Sequence, residues 1–331
     1  MALQAPAAGP ATRRRVALVA GDPNGIGPEI ALKAAAQTCR TIDLTLFGPP
    51  SVWQRTAAAL GLSHVLEQVA LHPTRELGAH RPGVVDAQAG LCMLDAATQA
   101  IRAGLAGTVD AVVAAPHHET AVAQAGVPFA GYPGLVAQCA GVSPDDCYLM
   151  LDGAGLRIVH VTLHESVLSA VERITVPRVA GAIAAGVRAV RRMGVARPRI
   201  AVFGLNPHAS EGGLWGTEDE AIVRPAVQSL LHEGWHIDGP AGADMLLAGR
   251  AHDLYVAMLH DQGHIPIKLL APQAATAWTL CGDLLFASVA HGSAMDIAGQ
   301  GVARPDALLR TLRALEPAAC PPRPPGPGTP S

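Results

Sequence analysis

The chain has 331 residues, 24 Lys+Arg against 27 Asp+Glu, and a formal net charge of −3. Near-neutral charge with no long basic block excludes a phosphate-neutralising nucleic-acid binder, and a composition 50% hydrophobic but only 15% charged excludes a mainly disordered chain. The length allows about two domains of ~100–200 residues each, and so low a charge density favours an oligomer. Residues 1–15 end in Arg13-Arg14-Arg15 without the apolar stretch of a signal peptide, so they read as a ragged leader before the first strand. The apolar run 15–20 is a buried strand, closed by the turn Gly21-Asp22-Pro23, and Pro28-Glu29 opens a helix. Residues 41–47 alternate as a second strand that stops at Gly48-Pro49-Pro50. Further strands fall at 109–115, 156–162, 199–204 and 253–257, with helices over 88–104, 166–173, 178–193 and 220–233. Strands alternating with helices predict an α/β fold with largely parallel sheets. The uncharged stretch 120–144 is broken by four glycines and three prolines, which makes it buried loop and short elements rather than a membrane span. Six cysteines without a C-x-x-C pair read as reduced thiols of a cytoplasmic protein. Residues 318–331, rich in proline, are expected to be a disordered tail.

Three segments can carry chemistry. Gly21 to Ile30 (GDPNGIGPEI) joins a strand to a helix, where phosphate cradles occur, but its spacing fits neither the dinucleotide fingerprint nor the Walker pattern; a plain strand-to-helix turn is an equal alternative. His164, His208 and His260 each follow a strand at the carboxyl edge where α/β sheets place ligands. Three neutral imidazoles bind Zn²⁺ or a similar ion and leave a position open for a substrate oxygen, whereas any one alone is more often a structural histidine. The third segment, His291 to Gly301 (HGSAMDIAGQG), has small residues beside a histidine at a turn, suited to a flat ring or to nothing more than a tight loop.

Together, the two glycine-rich segments resemble the isocitrate/isopropylmalate dehydrogenase superfamily. GDPNGIGPEI, GLNPHASEGG, LHDQGHIPIK and HGSAMDIAG, in that order over about residues 15–315, are similar to the 4-phosphohydroxythreonine dehydrogenase family of vitamin B6 synthesis. The resemblance implies two α/β/α domains around a cleft, a homodimer with a shared active site, NAD, and a divalent metal held by His164, His208 and His260. On that pattern the first domain takes 14–120 plus 266–317 on the cofactor side. The second takes 121–265, with the metal site and the dimer interface. The departures carry information too. Gly131-Tyr132-Pro133-Gly134 stands where those enzymes have Gly-His-Thr-Glu; their substrate-binding Asn and Arg align with Ala277 and Phe286; and Glu119 replaces one Lys while Lys268 matches another. Phe286 cannot replace the bidentate charge-assisted bonds by which an Arg holds a phosphate.

The runs 115–121, 131–133 and 155–166 look like the terephthalate cis-dihydrodiol dehydrogenases, a group within that family. Their substrate, 1,2-dihydroxy-3,5-cyclohexadiene-1,4-dicarboxylate, has a hydroxyl at C2 beside the C1 carboxylate. Oxidation there by NAD⁺ makes a ketone β to the carboxylate, and loss of CO₂ aromatises the ring to protocatechuate. A divalent ion would serve as the Lewis acid. The resemblance makes Lys268, Asp244 and Asp261 the catalytic candidates, Asp244 and Asp261 as carboxylates that orient metal-bound imidazoles. His117, His118, Tyr132 and Lys268 are expected to bind substrate, and His291, Gly292, Ser293, Ala294 and Asp296 to bind NAD. The metal is expected to be Zn²⁺, with Fe²⁺, Co²⁺ and Mg²⁺ as alternatives. Neither a nucleic acid nor a membrane is an expected partner. The alternatives are a 4-phosphohydroxythreonine dehydrogenase or related β-hydroxy acid decarboxylase with a rebuilt pocket, a metal-dependent hydrolase, and a non-catalytic metal-binding dimer.

Overall fold

The computed structural model describes residues 13–129, 131–231, 234–271, 275–289 and 291–316; the expected tail and most of the expected leader lie outside them. Eleven strands form one sheet: β1 (Arg15–Val19), β2 (Asp43–Gly48), β3 (Ala70–Pro73), β4 (Ala111–Ala114), β5 (Tyr148–Gly153), β6 (Leu156–His160), β7 (Arg199–Phe203), β8 (His236–Ala241), β9 (Leu254–Ala257), β10 (Thr276–Cys281) and β11 (Leu284–Ser288). The spatial order is β3-β2-β1-β4-β11-β10-β5-β6-β9-β7-β8. Pairing is parallel in one wing, from β3 to β11, and in the other, from β6 to β8. Between the wings the β11–β10, β10–β5 and β5–β6 pairs are antiparallel. The sheet is therefore largely parallel, as expected, but mixed at its centre, and the two wings run in opposite senses along it. The expected boundary between domains falls between β10 and β5, which pair without interruption from Thr276–Asp152 to Leu280–Tyr148.

β1, β4, β7 and β9 were legible because each is an apolar run with nearly all its residues buried, as a strand covered by crossover helices must be. β1 is buried from Val16 to Val19, and all of β4 and β9 are buried. Helices Gly27–Thr38 and Val176–Arg192 pack on these strands through small residues. At Gly186 an added Cβ would lie 2.8 Å from both Leu254 and Val159 side chains, so the absence of a side chain sets the closeness of that packing. Within 120–144 the short elements are helices Glu119–Gln124 and Gly131–Ala140, with most of the breakers at helix ends. One stretch differs from expectation. In place of one helix over 220–233, a π-helical turn Asp219–Val223 leads into helix Arg224–Leu231, the change occurring where Pro225 removes a backbone donor. Among the described residues no helix is long and apolar enough to cross a membrane, and Cys39, Cys92, Cys139, Cys147 and Cys281 are free.

Gly27 opens the first helix against the end of β1, where a Cβ would come 2.0 Å from the Ala20 carbonyl oxygen. Backbone cannot yield there as a side chain can, so Gly27→Ala should cost more than ~2 kcal/mol in urea unfolding. Gly249, which has ordinary helical φ and open space around it, provides the control: Gly249→Ala should change stability by under ~1 kcal/mol.

Candidate functional site

β6, β9 and β7 are parallel neighbours, so the segments after them leave the sheet at one edge. His164 follows β6, and His260 begins helix His260–Leu270 after β9; their ring centroids are 5.2 Å apart. His264, one turn further along that helix, stacks on His260 at 3.7 Å and 15°. One ring nitrogen from each of His164, His260 and His264 lies within 4.8 Å of the others. Behind them His160 is buried, with Nε2 3.0 Å from His264 Nδ1 and Nδ1 3.3 Å from the Leu149 carbonyl oxygen. Gly263 makes room for that ring: a Cβ there would fall 2.3 Å from His160 Nε2. Burial, reinforced by the surrounding imidazoles, pushes the pKa of His160 down to about 3 and that of His264 down to about 4. Imidazoles gathered this closely are, in their neutral form, the donor set that Zn²⁺ and related ions take.

Asp261 Oδ1 accepts from His260 Nδ1 at 2.7 Å. Gln262 braces the helix start, accepting from Met258 and Leu259 N–H and donating to the Gly204 carbonyl beyond β7. Lys268 is exposed two turns after His260. Asp244 sits exposed in the first turn of helix Ala243–Ala248, and among the described residues no hydrogen bond or ion pair joins it to the imidazoles. A cavity of about 500 Å³ opens beside the cluster, bounded by Leu163, His164, Val167, Leu259, His260 and Asp261.

His208 does not join this group within one chain: among the described residues its ring contacts none of the other histidines. It is exposed on the segment Pro207–Gly213, in which residues 208 to 212 all adopt left-handed backbone with φ between 43° and 69°. Each non-glycine residue there costs roughly 1–2 kcal/mol, so the surroundings must hold the turn. Asp219, fully buried, does much of this by accepting from Leu205 N (2.7 Å), Asn206 N (3.0 Å) and Ser210 Oγ (2.7 Å). Asn206 Nδ2 adds bonds to Ser210 Oγ and Glu218 Oε2.

In the other wing the two glycine-rich segments are stitched together. Ile26 N–H donates to the Ser293 carbonyl at 2.9 Å, and a Cβ on Gly25 would meet that same carbonyl. Glu29, buried, accepts from Lys33 Nζ (2.7 Å), Gly301 N (3.1 Å) and Ala303 N (2.7 Å). Of the residues expected to bind NAD, His291, Gly292 and Asp296 are exposed, Ala294 is half-buried and Ser293 is buried. Space around the Gly292 Cα is open, which leaves backbone accessible to a flat ring. A separate cavity of about 280 Å³ lies between Pro23, Glu29, Arg55, His80 and Gly299.

On the expected substrate side, Tyr132 is buried, and its hydroxyl donates to the Ala115 carbonyl at 3.0 Å. Its ring supports His117 edge-on at 4.7 Å and packs against buried Phe286 at 5.2 Å. His117 also meets Phe129, at 5.1 Å. His118 is half-buried, with Nδ1 enclosed and unpartnered. Asp22 is buried as well: Oδ1 accepts from Asn24 N at 2.9 Å, and Oδ2 has no partner among the described residues. Burial pushes its carboxyl up from 3.8 to about 6, opposed by the Asn24 bond and by nearby His118. The residues that sequence reasoning missed are thus His160, His264, Asp22 and Asp219. Only His264 had a readable signal, four residues beyond His260 on a helix and hence on the same face.

A protein-family profile described as pyridoxal phosphate biosynthetic protein PdxA matches residues 17–315. The chain is 53% identical to a 1,2-dihydroxy-3,5-cyclohexadiene-1,4-dicarboxylate dehydrogenase from Comamonas sp, over 91% of this chain and 97% of that protein. Among solved structures it is similar to a terephthalate 1,2-cis-dihydrodiol dehydrogenase from Burkholderia xenovorans LB400, with a TM-score of 0.81 and 43% identity over 92% and 98% of the two chains. It is also similar to a 4-hydroxythreonine-4-phosphate dehydrogenase from Burkholderia phymatum, with a TM-score of 0.82 and 30% identity over 92% and 98%.

The raised carboxyl of Asp22 corresponds to about 3 kcal/mol of destabilisation at most when ionised. Because the folded state holds this proton more tightly, the penalty is absent below pH ~4, grows between pH 4 and 6, and is constant above. The Tm advantage of Asp22→Asn over the parent should follow that course; an advantage independent of pH would contradict it. Asp219→Ala should cost about 2–4 kcal/mol in urea unfolding and open 208–212 to proteolysis. Unchanged stability would show that the turn is held by something else.

Proposed function

The chain belongs to the family of pyridoxal phosphate biosynthetic protein PdxA and is a dehydrogenase of that family; from this premise we propose that it oxidises and decarboxylates the cis-dihydrodiol of terephthalate with NAD⁺, giving protocatechuate and CO₂. The observation that carries the reading is that Phe286 and Tyr132, both buried, pack on each other behind His117 and place no cation there. The resemblance to the 4-phosphohydroxythreonine dehydrogenases implies an Arg at the position of Phe286, and a phenyl ring there offers a dianion nothing. The identity with the Comamonas enzyme supports the same substrate class.

His164 and His260, with His208 from a second copy, would hold a divalent ion, with Zn²⁺ the best match to imidazole donors. When bound, the ion supplies Lewis acidity at the C2 oxygen and at the ketone that replaces it. The chain's own groups do the rest. Lys268, as the amine, would take the hydroxyl proton when C2 is oxidised, and the resulting ammonium would return it to the enolate oxygen as CO₂ leaves and the ring aromatises. Asp261 fixes the His260 ring through Nδ1. His117, held by Tyr132, and His118 meet the substrate carboxylates. The exposed backbone at His291 and Gly292, with Asp296, receives NAD. Asp244 would act across the assembled site rather than inside one chain.

The two sheet wings would flank a cleft as two domains, over 14–120 plus 266–317 and 121–265, in the manner of isocitrate dehydrogenases. Leu168 and Leu269 are 79% and 77% exposed on the helices beside the cluster, and a second copy would cover them while bringing His208 in.

Purified protein given NAD⁺ and the dihydrodiol should form NADH and protocatechuate, with loss of activity on chelation and recovery on adding Zn²⁺ or Co²⁺. Activity on 4-phosphohydroxythreonine alone would overturn the substrate and keep the family.

A further inference from the structure

We infer that Cys147 and Cys281 are an oxidisable pair: hydrogen peroxide converts the two thiols into a disulfide within one subunit and so fastens β5 to β10, where the two wings of the sheet meet. The inference is independent of the proposed substrate and metal.

Sheet register carries the argument. β10 and β5 pair antiparallel from Thr276–Asp152 to Leu280–Tyr148, and one further step in that register places Cys281 opposite Cys147. The backbone suits this step, because Cys147 is extended at φ −102° and ψ 131° and Cys281 is the last residue of β10. Directly opposed residues of an antiparallel pair project from the same face of the sheet. The Cys147 N–H donates to the Pro144 carbonyl at 3.2 Å, so the cysteines form a pair of the non-hydrogen-bonded kind, in which Cα atoms stand about 4.5 Å apart. That spacing falls within the ~4.4–6.8 Å that a disulfide spans. Both side chains belong to one apolar cluster with Met93, Leu284 and Phe286. Cys281 is buried there, whereas Cys147 is half-buried and gives a small oxidant access to the pair.

The surroundings favour reaction at this pair over the other thiols. A hydrogen bond from the Cys147 thiol holds Cys281 below the ordinary thiol range and pushes Cys147 above it, while Asp146 opposes ionisation of both. The thiolate is the nucleophilic form of cysteine. By contrast, burial pushes Cys92 up to about 11 and also raises Cys139, and the Cys39 thiol donates to Gln68 Oε1 at 3.3 Å. In the first step the Cys147 sulfur attacks a peroxide oxygen as its proton leaves; the O–O bond breaks, a sulfenic acid forms and one water departs. In the second the Cys281 sulfur attacks that sulfenic sulfur; the S–O bond breaks, the S–S bond forms, and a second water carries off the Cys281 proton. Two thiols have then lost two electrons, and the peroxide has gained them. Residues 147 and 281 bracket β6 to β9, so the bond closes the second wing into one covalent loop. A loop of that length loses much of its freedom in the unfolded chain.

The test exposes the purified, folded chain to hydrogen peroxide, alkylates the remaining thiols and maps the digest by mass spectrometry with and without reductant. A reductant-sensitive peptide joining Cys147 to Cys281 is expected, with Tm raised by at least ~3 °C; reduction should restore both thiols and the starting Tm. Cys147→Ser and Cys147→Ala, changes at a half-buried position, should abolish the joined peptide and the rise in Tm with circular dichroism unchanged. Free or sulfinic sulfur at both positions after exposure would overturn the inference. So would a cross-link that forms only in urea, or one that joins either sulfur to Cys320, which lies outside the described residues. A cross-link that leaves Tm unmoved would overturn the fastening of the two strands.

Discussion

The antiparallel pairing of β10 with β5 is where two parallel wings of opposite sense become a single sheet. A parallel strand cannot follow its neighbour without a crossover, so each wing is built from its own run of strand–helix units and exposes its own set of strand-end loops. One wing gathers Asp22, His117, His118 and the segment from His291; the other gathers the imidazoles. The seam, with the flanking β11–β10 and β5–β6 pairs, fixes how these two sets stand to each other, because among the described residues no other strand pairing connects the wings. Its side chains are correspondingly well buried, with Trp278, Met150 and Leu280 among the most enclosed residues.

Much of this was legible in the sequence, for a reason that also explains what was not. A strand buried on both faces announces itself as an unbroken apolar run, and β1, β4, β7 and β9 were found that way. β10 and β11 belong to the antiparallel centre and are joined only by Gly282-Asp283, with Gly282 at φ +56°. The turn signal was present, but no helix separates the strands, so the alternating strand–helix pattern passed over them. At the site, strand-end logic finds His164, His208 and His260, each beyond a carboxyl end. It cannot find His160, which is still inside a strand, nor Asp219, whose role exists only because a distant turn folds over it. The side-chain partners of Asp22 are equally unreadable, since its burial is created by the loop after β4.

The buried charges follow a common logic. Asp219 and Glu29 are enclosed but saturated with donors, chiefly backbone N–H groups whose geometry is otherwise difficult. They act as internal caps for segments that belong to no helix or strand, which is how a strained left-handed turn and a long late loop are kept in place. Asp22 is the exception, with one oxygen unmatched. The imidazoles take the opposite course: they are packed together, and burial pushes His160 and His264 towards the neutral form.

The Glu29 arrangement has a consequence for synthesis. Its carboxylate and the Lys33 ammonium bond to backbone groups at 301 and 303, about 270 residues later in the chain. A nascent chain on the ribosome therefore cannot pair Glu29 and Lys33 with these groups until residue 303 has emerged, and long-range closure of this kind slows folding. A polypeptide cut short before Ala303 leaves a buried acid without its amides. Such a fragment is poorly suited to persist, because this contact joins segments about 270 residues apart.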